Sequence, residues 1–196
     1  MTKLDAICVY CGSNAGTRPE YTEAAQTMGT VLARRSIALV YGGGRVGLMG
    51  VLADACLEAG GKVYGIIPEF LALREVAHSG LTDLVVVDSM HTRKAEMERR
   101  SDGFVALPGG IGTMEELFEV WTWSQLGQHR KPCGLLDAGG YFDHLTAFLD
   151  RMAADGFVNP EHRAMLHRSE NADALLDAFN AYESPAADIR IKVKQT

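Results

Sequence analysis

None of the six histidines in this 196-residue chain stands in an H-x-E or H-E-x-x-H pairing, so no zinc-type site is expected. No G-x-S-x-G turn occurs, and Ser13 has no evident base beside it, which argues against acyl transfer. Lys and Arg number 19 against 25 Asp and Glu. The net charge of −6 leaves no broad basic face, so no nucleic-acid partner is expected. No apolar run approaches the roughly 20 residues that cross a bilayer, and no membrane association is expected. The opening Met1-Thr2-Lys3-Leu4-Asp5 runs toward a strand without the apolar core of a signal peptide, so a cytoplasmic location is expected.

Cysteine is scarce, with Cys8, Cys11, Cys56 and Cys133. Cys8 and Cys11 have C-x-x-C spacing, which suggests metal or redox chemistry. Both lie in Ile7-Cys8-Val9-Tyr10-Cys11, however, where a separation of three sends side chains to opposite faces of an extended strand. They read as small buried hydrophobes. The lysines include none whose neighbours favour a Schiff base. Neither a metal nor a cofactor is expected.

What is present is a regular alternation. With 47% hydrophobic and 22% charged residues, the chain can bury one sizeable core. Apolar runs predict strands at Asp5–Cys11, Ile37–Tyr41, Lys62–Ile67, Leu84–Val87, Gly103–Leu107 and Pro132–Leu136. Between and after them, helical periodicity predicts helices from Pro19 to Arg35, from the end of the Gly42-to-Gly50 loop through Leu57, and from Met90 to Arg100. Further helices are predicted from Thr113 to about Leu126, from Tyr141 to Ala154 and from Ala172 to Ala181. Glu69 to Thr82 breaks the pattern, with Arg74-Glu75 and His78-Ser79-Gly80 in a partly helical excursion. Near-continuous apolar strands alternating with helices predict an α/β fold: a doubly wound, Rossmann-like parallel sheet with helices on both faces. Residues 1–183 read as one nucleotide-binding domain. The tail 184–196, with Ile189-Arg190-Ile191-Lys192-Val193-Lys194, reads as an edge strand or as disorder.

Three small-residue loops follow strands: Gly12-Ser13, Gly42 to Gly44, and Gly109 to Thr113. In a doubly wound sheet they share one edge and build one nucleotide-sized crevice. Gly42-x-Gly44-x-x-Gly47 with Glu69 fits the dinucleotide fingerprint, and three readings stay open for it: a helix-packing turn, a phosphate or ribose contact, and a dinucleotide site. In Pro108 to Glu116, a strand gives way to a helix through glycines that allow close approach to an anion. Thr113-x-x-Glu116 is also a capping box, which predicts that Thr113 caps the helix and Glu116 reaches back. The charged run Met90 to Arg100 reads as a solvated helix laced by Glu96–Arg100 and Lys94–Glu98 pairs. The alternative is that Arg93 points from the first turn to the strand edge, where a guanidinium grips phosphate.

With these motifs the chain resembles the LOG ("lonely guy") family of cytokinin-activating phosphoribohydrolases, formerly labelled putative lysine decarboxylases. The family's P-G-G-x-G-T-x-x-E stands as Pro108 to Glu116, and its M-H-x-R-K-x-x-M as Met90 to Met97. Cys11-Gly12-Ser13, Tyr41 to Gly44, Arg74-Glu75 and Thr122 to Gly127 support the match. The resemblance implies hydrolysis of the N-glycosidic bond of cytokinin riboside 5′-monophosphates, and of AMP, to free base and ribose 5-phosphate. It implies Arg93 and Glu116 as the catalytic pair. Its implied substrate contacts are Glu75, Lys94, Gly110, Ile111, Gly112, Thr113 and Glu115, to which the loops and the Met90 motif add Ser13, Gly43, Gly44, Met90 and Gly109 as candidate contacts. It implies a nucleoside 5′-monophosphate substrate and a homodimer whose active site draws on both subunits. Two alternatives remain at this point: an NAD(P)-dependent oxidoreductase, and a non-catalytic carrier of nucleotide or molybdenum cofactor with a similar fold.

Overall fold

A computed structural model describes residues 4–72 and 77–185. Among the described residues, seven strands form one parallel sheet: β1 (Ala6–Tyr10), β2 (Ala38–Tyr41), β3 (Val63–Pro68), β4 (Asp83–Val87), β5 (Gly103–Ala106), β6 (Cys133–Leu136) and β7 (Leu166–Ser169). Their order is β4-β3-β2-β1-β5-β6-β7. The helices are α1 (Pro19–Arg34), α2 (Gly47–Glu58), α3 (Glu69–Leu71), α4 (Met90–Arg99), α5 (Ile111–Gln125), α6 (Asp143–Ala154), α7 (Pro160–Ala164) and α8 (Ala172–Asn180).

The strands alternate in both directions because both sheet faces are covered. From β1, Ile7 and Val9 pack with Met28 and Leu32 of α1, Leu52 of α2 and Leu176 of α8. Cys8 and Tyr10 pack on the opposite face with Met97 of α4, Leu117 and Trp121 of α5 and Leu149 of α6. Each fully buried side chain of this size contributes roughly 1.5–3 kcal/mol. Cys8 and Cys11 fall in opposite cores and are free. Burial pushes both thiols far above the ordinary cysteine range, as expected of inert hydrophobes.

The chain winds outward from β1 to β4, then crosses back to lay β5 on the other side of β1. The helices that follow β1 and β5, α1 and α5, therefore lie on opposite faces, and the carboxyl edge between them is where such sheets place their crevice. Leu107 N–H donates to Tyr10 O at 2.9 Å and Gly12 N–H to Pro108 O at 3.0 Å, so the two loops leave side by side.

The sequence expectations differ from this architecture in a few places. The turn α7 and edge strand β7 were not anticipated. In Leu166-His167-Arg168-Ser169 only Leu166 is buried, so no apolar period marks the strand. Helix α5 begins at Ile111, two residues before the expected Thr113. Tyr141 lies before α6 rather than in it, after a turn in which Gly139 (φ +58°) and Gly140 (φ +73°) adopt left-handed backbone. The excursion after β3 opens with α3 and returns to the Gly42–Gly44 loop: Ala77 bridges Gly44, and His78 N–H donates to Gly43 O at 2.9 Å. Glu75 lies outside the described residues, as does the tail beyond Pro185.

Candidate functional site

The site grows from the junction of β5 and α5. Gly110 is the N-cap residue of α5 (φ −89°, ψ −155°) and no side chain caps it. The expected capping box is not formed. The early helix start puts Thr113 at the third helical position, buried, with its hydroxyl against Gly109. Glu116 points inward instead of back to the cap, with its side chain 11% exposed. The amides of Ile111, Gly112 and Thr113 precede the first bond of the helix ladder, Met114 N–H to Gly110 O at 3.2 Å. They stand at the positive end of the helix dipole. A Cβ at Gly110 or Gly112 would meet nothing, so the protein's own packing does not demand glycine there. Glycine there leaves the backbone open to close approach of a ligand.

Opposite stands Arg93. Ser89 caps α4 by accepting from Thr92 N–H at 3.1 Å, which fixes the first turn and turns Arg93 inward, where it is 8% exposed. Its Nε donates to Ile66 O at 3.1 Å, Nη1 lies 3.3 Å from Glu116 Oε1, and Nη1 reaches Met90 Sδ at 3.8 Å. A Cβ added at Gly42 would overlap Nη2 and reach Cζ at 3.1 Å, so that glycine makes room for the guanidinium. Burial pushes the Glu116 carboxyl up, Arg93 pulls it part of the way back, and Glu115 raises it again, leaving it at about 6. Desolvation thus outweighs the ion pair at Glu116.

A cavity of about 390 Å³ joins these groups, within the size range of small-molecule sites. Of the residues expected at the site, Ser13, Gly44, Arg93, Gly110, Ile111, Gly112, Thr113 and Glu116 line it. Val46, Met49, Ile67 and Leu71 form an apolar wall that the sequence reading had not named. A second cavity of about 290 Å³ adjoins it across the loop, lined by Ser13, Asn14, Tyr21, Gly109, Gly110 and Tyr141 among others.

Five of the expected contacts among the described residues, Gly43, Met90, Lys94, Gly109 and Glu115, lie outside the larger cavity, and Gly109 lines the smaller one. Gly43 faces Ile67 and Leu84 and serves the return strand. Met90 contacts Arg93. Lys94 donates to Glu115 at 2.6 Å and Glu119 at 2.9 Å, in place of the expected pair with Glu98, which instead binds Lys131 at 2.5 Å. Glu96–Arg100 forms as expected at 2.5 Å. Glu119, four residues after Glu115, was legible as a second partner on the same helix face.

The glycines of the dinucleotide-like turn also have local uses. Gly42 admits Arg93, and Gly47 (φ +58°) backs onto Ser13 and Asn14. The N-terminal amide of Leu48 in α2 is occupied by Gly12 O at 3.0 Å. The start of α5 has no side-chain cap. Lys94 is unsuited to Schiff-base chemistry: burial works against its charge, yet hydrogen bonds to Glu115 and Glu119 hold its ammonium above the ordinary lysine range. Among the described residues, no group of three or more His, Cys, Asp or Glu is placed to hold a metal ion.

A family model described as "possible lysine decarboxylase" matches residues 49–179. The chain is 51% identical over 177 residues to the cytokinin riboside 5′-monophosphate phosphoribohydrolase of Rhodococcoides fascians, covering 90% of this chain and 89% of the relative. It is 45% identical over 192 residues to the enzyme of the same name, LOG7, of Arabidopsis thaliana, covering 98% and 88%. Among solved structures, the molybdenum cofactor binding protein of Rippkaea orientalis superposes with a TM-score of 0.69 at 19% identity, over 92% of this chain and 98% of that one. At that identity the likeness concerns the fold.

Proposed function

The chain belongs to the LOG family of cytokinin riboside 5′-monophosphate phosphoribohydrolases, and from that premise we propose that it hydrolyses the N-glycosidic bond of cytokinin riboside 5′-monophosphates and of AMP. The observation that carries this reading is the buried Arg93–Glu116 pair, 3.3 Å apart, in the same cavity as the open end of α5. The free amides of Ile111, Gly112 and Thr113 bind the 5′-phosphate. The phosphate then fixes the ribose with C1′ beside Glu116. The apolar wall of Val46, Met49, Ile67 and Leu71 takes the base.

Cleavage of the C1′–N bond passes through an oxocarbenium-like ribose, whose positive charge a carboxylate stabilises. Glu116 is ionised above about pH 6 and takes a proton from water as the water oxygen bonds to C1′. The electron pair of the broken bond leaves with the base, which takes up the proton that Glu116 accepted and so returns the carboxylate. Arg93 holds Glu116 in place and balances negative charge on the phosphate or the departing base. Met90 supports Arg93, and Lys94 with Glu115 and Glu119 fixes α4 against α5.

We infer also a homodimer whose second copy completes the site. Ile111, 90% exposed at the cavity rim, and the exposed Phe70 beside Leu71 offer apolar surface for it, and sedimentation at micromolar concentration tests this. Four free, buried cysteines suit a reducing compartment such as the cytoplasm. Among the described residues, no helix is long and apolar enough to cross a membrane.

Glu116→Gln tests the mechanism. It should abolish base release while preserving most affinity for AMP, measured by calorimetry. Turnover near that of the unsubstituted protein would remove Glu116 from the chemistry.

A further inference from the structure

Tyr141 stands on the far side of the phosphate loop from the catalytic pair, and its hydroxyl donates to Gly109 O at 2.6 Å. The Gly109–Gly110 peptide is trans, so the Gly110 N–H points opposite to the Gly109 carbonyl and away from Tyr141. Gly110 lines both cavities, and on the side away from Tyr141 lies the one that holds Arg93 and Glu116. With glycine on both sides, this peptide rotates with little steric cost. Rotated, it would present a carbonyl oxygen to the anion in place of a donor.

We propose that Tyr141 is a positioning residue that holds the Gly109–Gly110 peptide with its N–H toward the bound phosphate. This rests on the reading that the site takes a phosphorylated ribose. The ring is well fixed for the task. It packs edge-on against Tyr21 at 5.4 Å and Phe142 at 5.0 Å. Phe142 is fully buried and donates its N–H to Asp137 Oδ1 at 3.1 Å. Arg18 lies over the Tyr21 ring and donates to Gly139 O at 3.0 Å, tying the turn before Tyr141 to the start of α1. On the other side, Gly12 N–H holds Pro108 O, and Thr113 crowds Gly109. The hydroxyl of Tyr141 supplies the hold on the Gly109 carbonyl.

Tyr141→Phe removes that hydrogen bond and leaves the ring contacts. Calorimetric titration of both proteins with ribose 5-phosphate and with adenine reads the effect. We expect roughly tenfold weaker binding of ribose 5-phosphate and adenine affinity within about twofold, the scale of one hydrogen bond. In turnover of AMP, KM should rise by a similar factor with kcat within about threefold. Ribose 5-phosphate affinity unchanged by the substitution would overturn the proposal, as would an equal loss for adenine. If the unsubstituted protein binds ribose 5-phosphate but releases no base, the hydrolase reading fails and the Tyr141 comparison still decides. A protein that releases base yet binds no ribose 5-phosphate overturns the Tyr141 proposal and leaves the hydrolase reading standing.

Discussion

Gly42→Ala is the substitution whose effect follows most directly from the packing. The new methyl would overlap Arg93 Nη2 and lie 3.1 Å from Cζ, so the guanidinium must retreat by about 1 Å or more to restore ordinary contact. The space open to it is the cavity itself. Nε is bound to Ile66 O at 3.1 Å, and the side chain is 10% exposed. Retreat lengthens the 3.3 Å contact to Glu116 and takes the charge from its place in the cavity. A misplacement of this size costs on the order of a hundredfold in rate, or about 2.7 kcal/mol. The cost to folding should be smaller than for a core overpacking, about 1 kcal/mol, because a side chain and not backbone must move. Steady-state kinetics of base release, with a thermal melt alongside, separates the two effects. Activity within about threefold of the unsubstituted protein would refute the view that Gly42 exists to seat Arg93.

Further outcomes follow from the same geometry. Arg93→Ala should lower kcat/KM by at least about a hundredfold, while a change of only a few-fold would return α4 to the role of a solvated helix. The Glu116 carboxyl is raised to about 6 and is needed ionised, so kcat/KM should fall about tenfold per pH unit below 6 and level off above it; a rise on acidification would make Glu116 an acid instead. Asp137 is 2% exposed and accepts from Phe142 N–H and from Arg168, so Asp137→Ala should cost about 3 kcal/mol and lower Tm by roughly 6–12 °C. A shift of only about 1 °C in a calorimetric melt would show that Arg168 finds compensation elsewhere.

The fold was legible where burial is two-sided. Ile7 to Cys11 and Gly103 to Leu107 mark their strands, whereas the crossover from β4 back to β5 that opens the crevice is a matter of spatial strand order, which apolar runs do not encode. β7 was not legible because an edge strand with His167 and Arg168 buries too little to leave a period. At the site, Pro108 to Glu116 and Met90 to Met97 marked the chemistry, yet local rules misjudged two details. The capping box assumed a helix starting at Thr113, whereas the glycines let it start at Ile111 and free Glu116 for Arg93. The i,i+4 rule paired Lys94 with Glu98, but α5 brings two carboxylates closer. The apolar wall and Tyr141 depend on loops meeting across the sheet edge, which no local spacing encodes.

Base release from isopentenyladenosine 5′-monophosphate tests the hydrolase reading most directly. Incubated with the purified protein and separated by chromatography, it should yield free isopentenyladenine and ribose 5-phosphate in equal amounts, and AMP should yield adenine. Recovery of both nucleotides intact would contradict that reading.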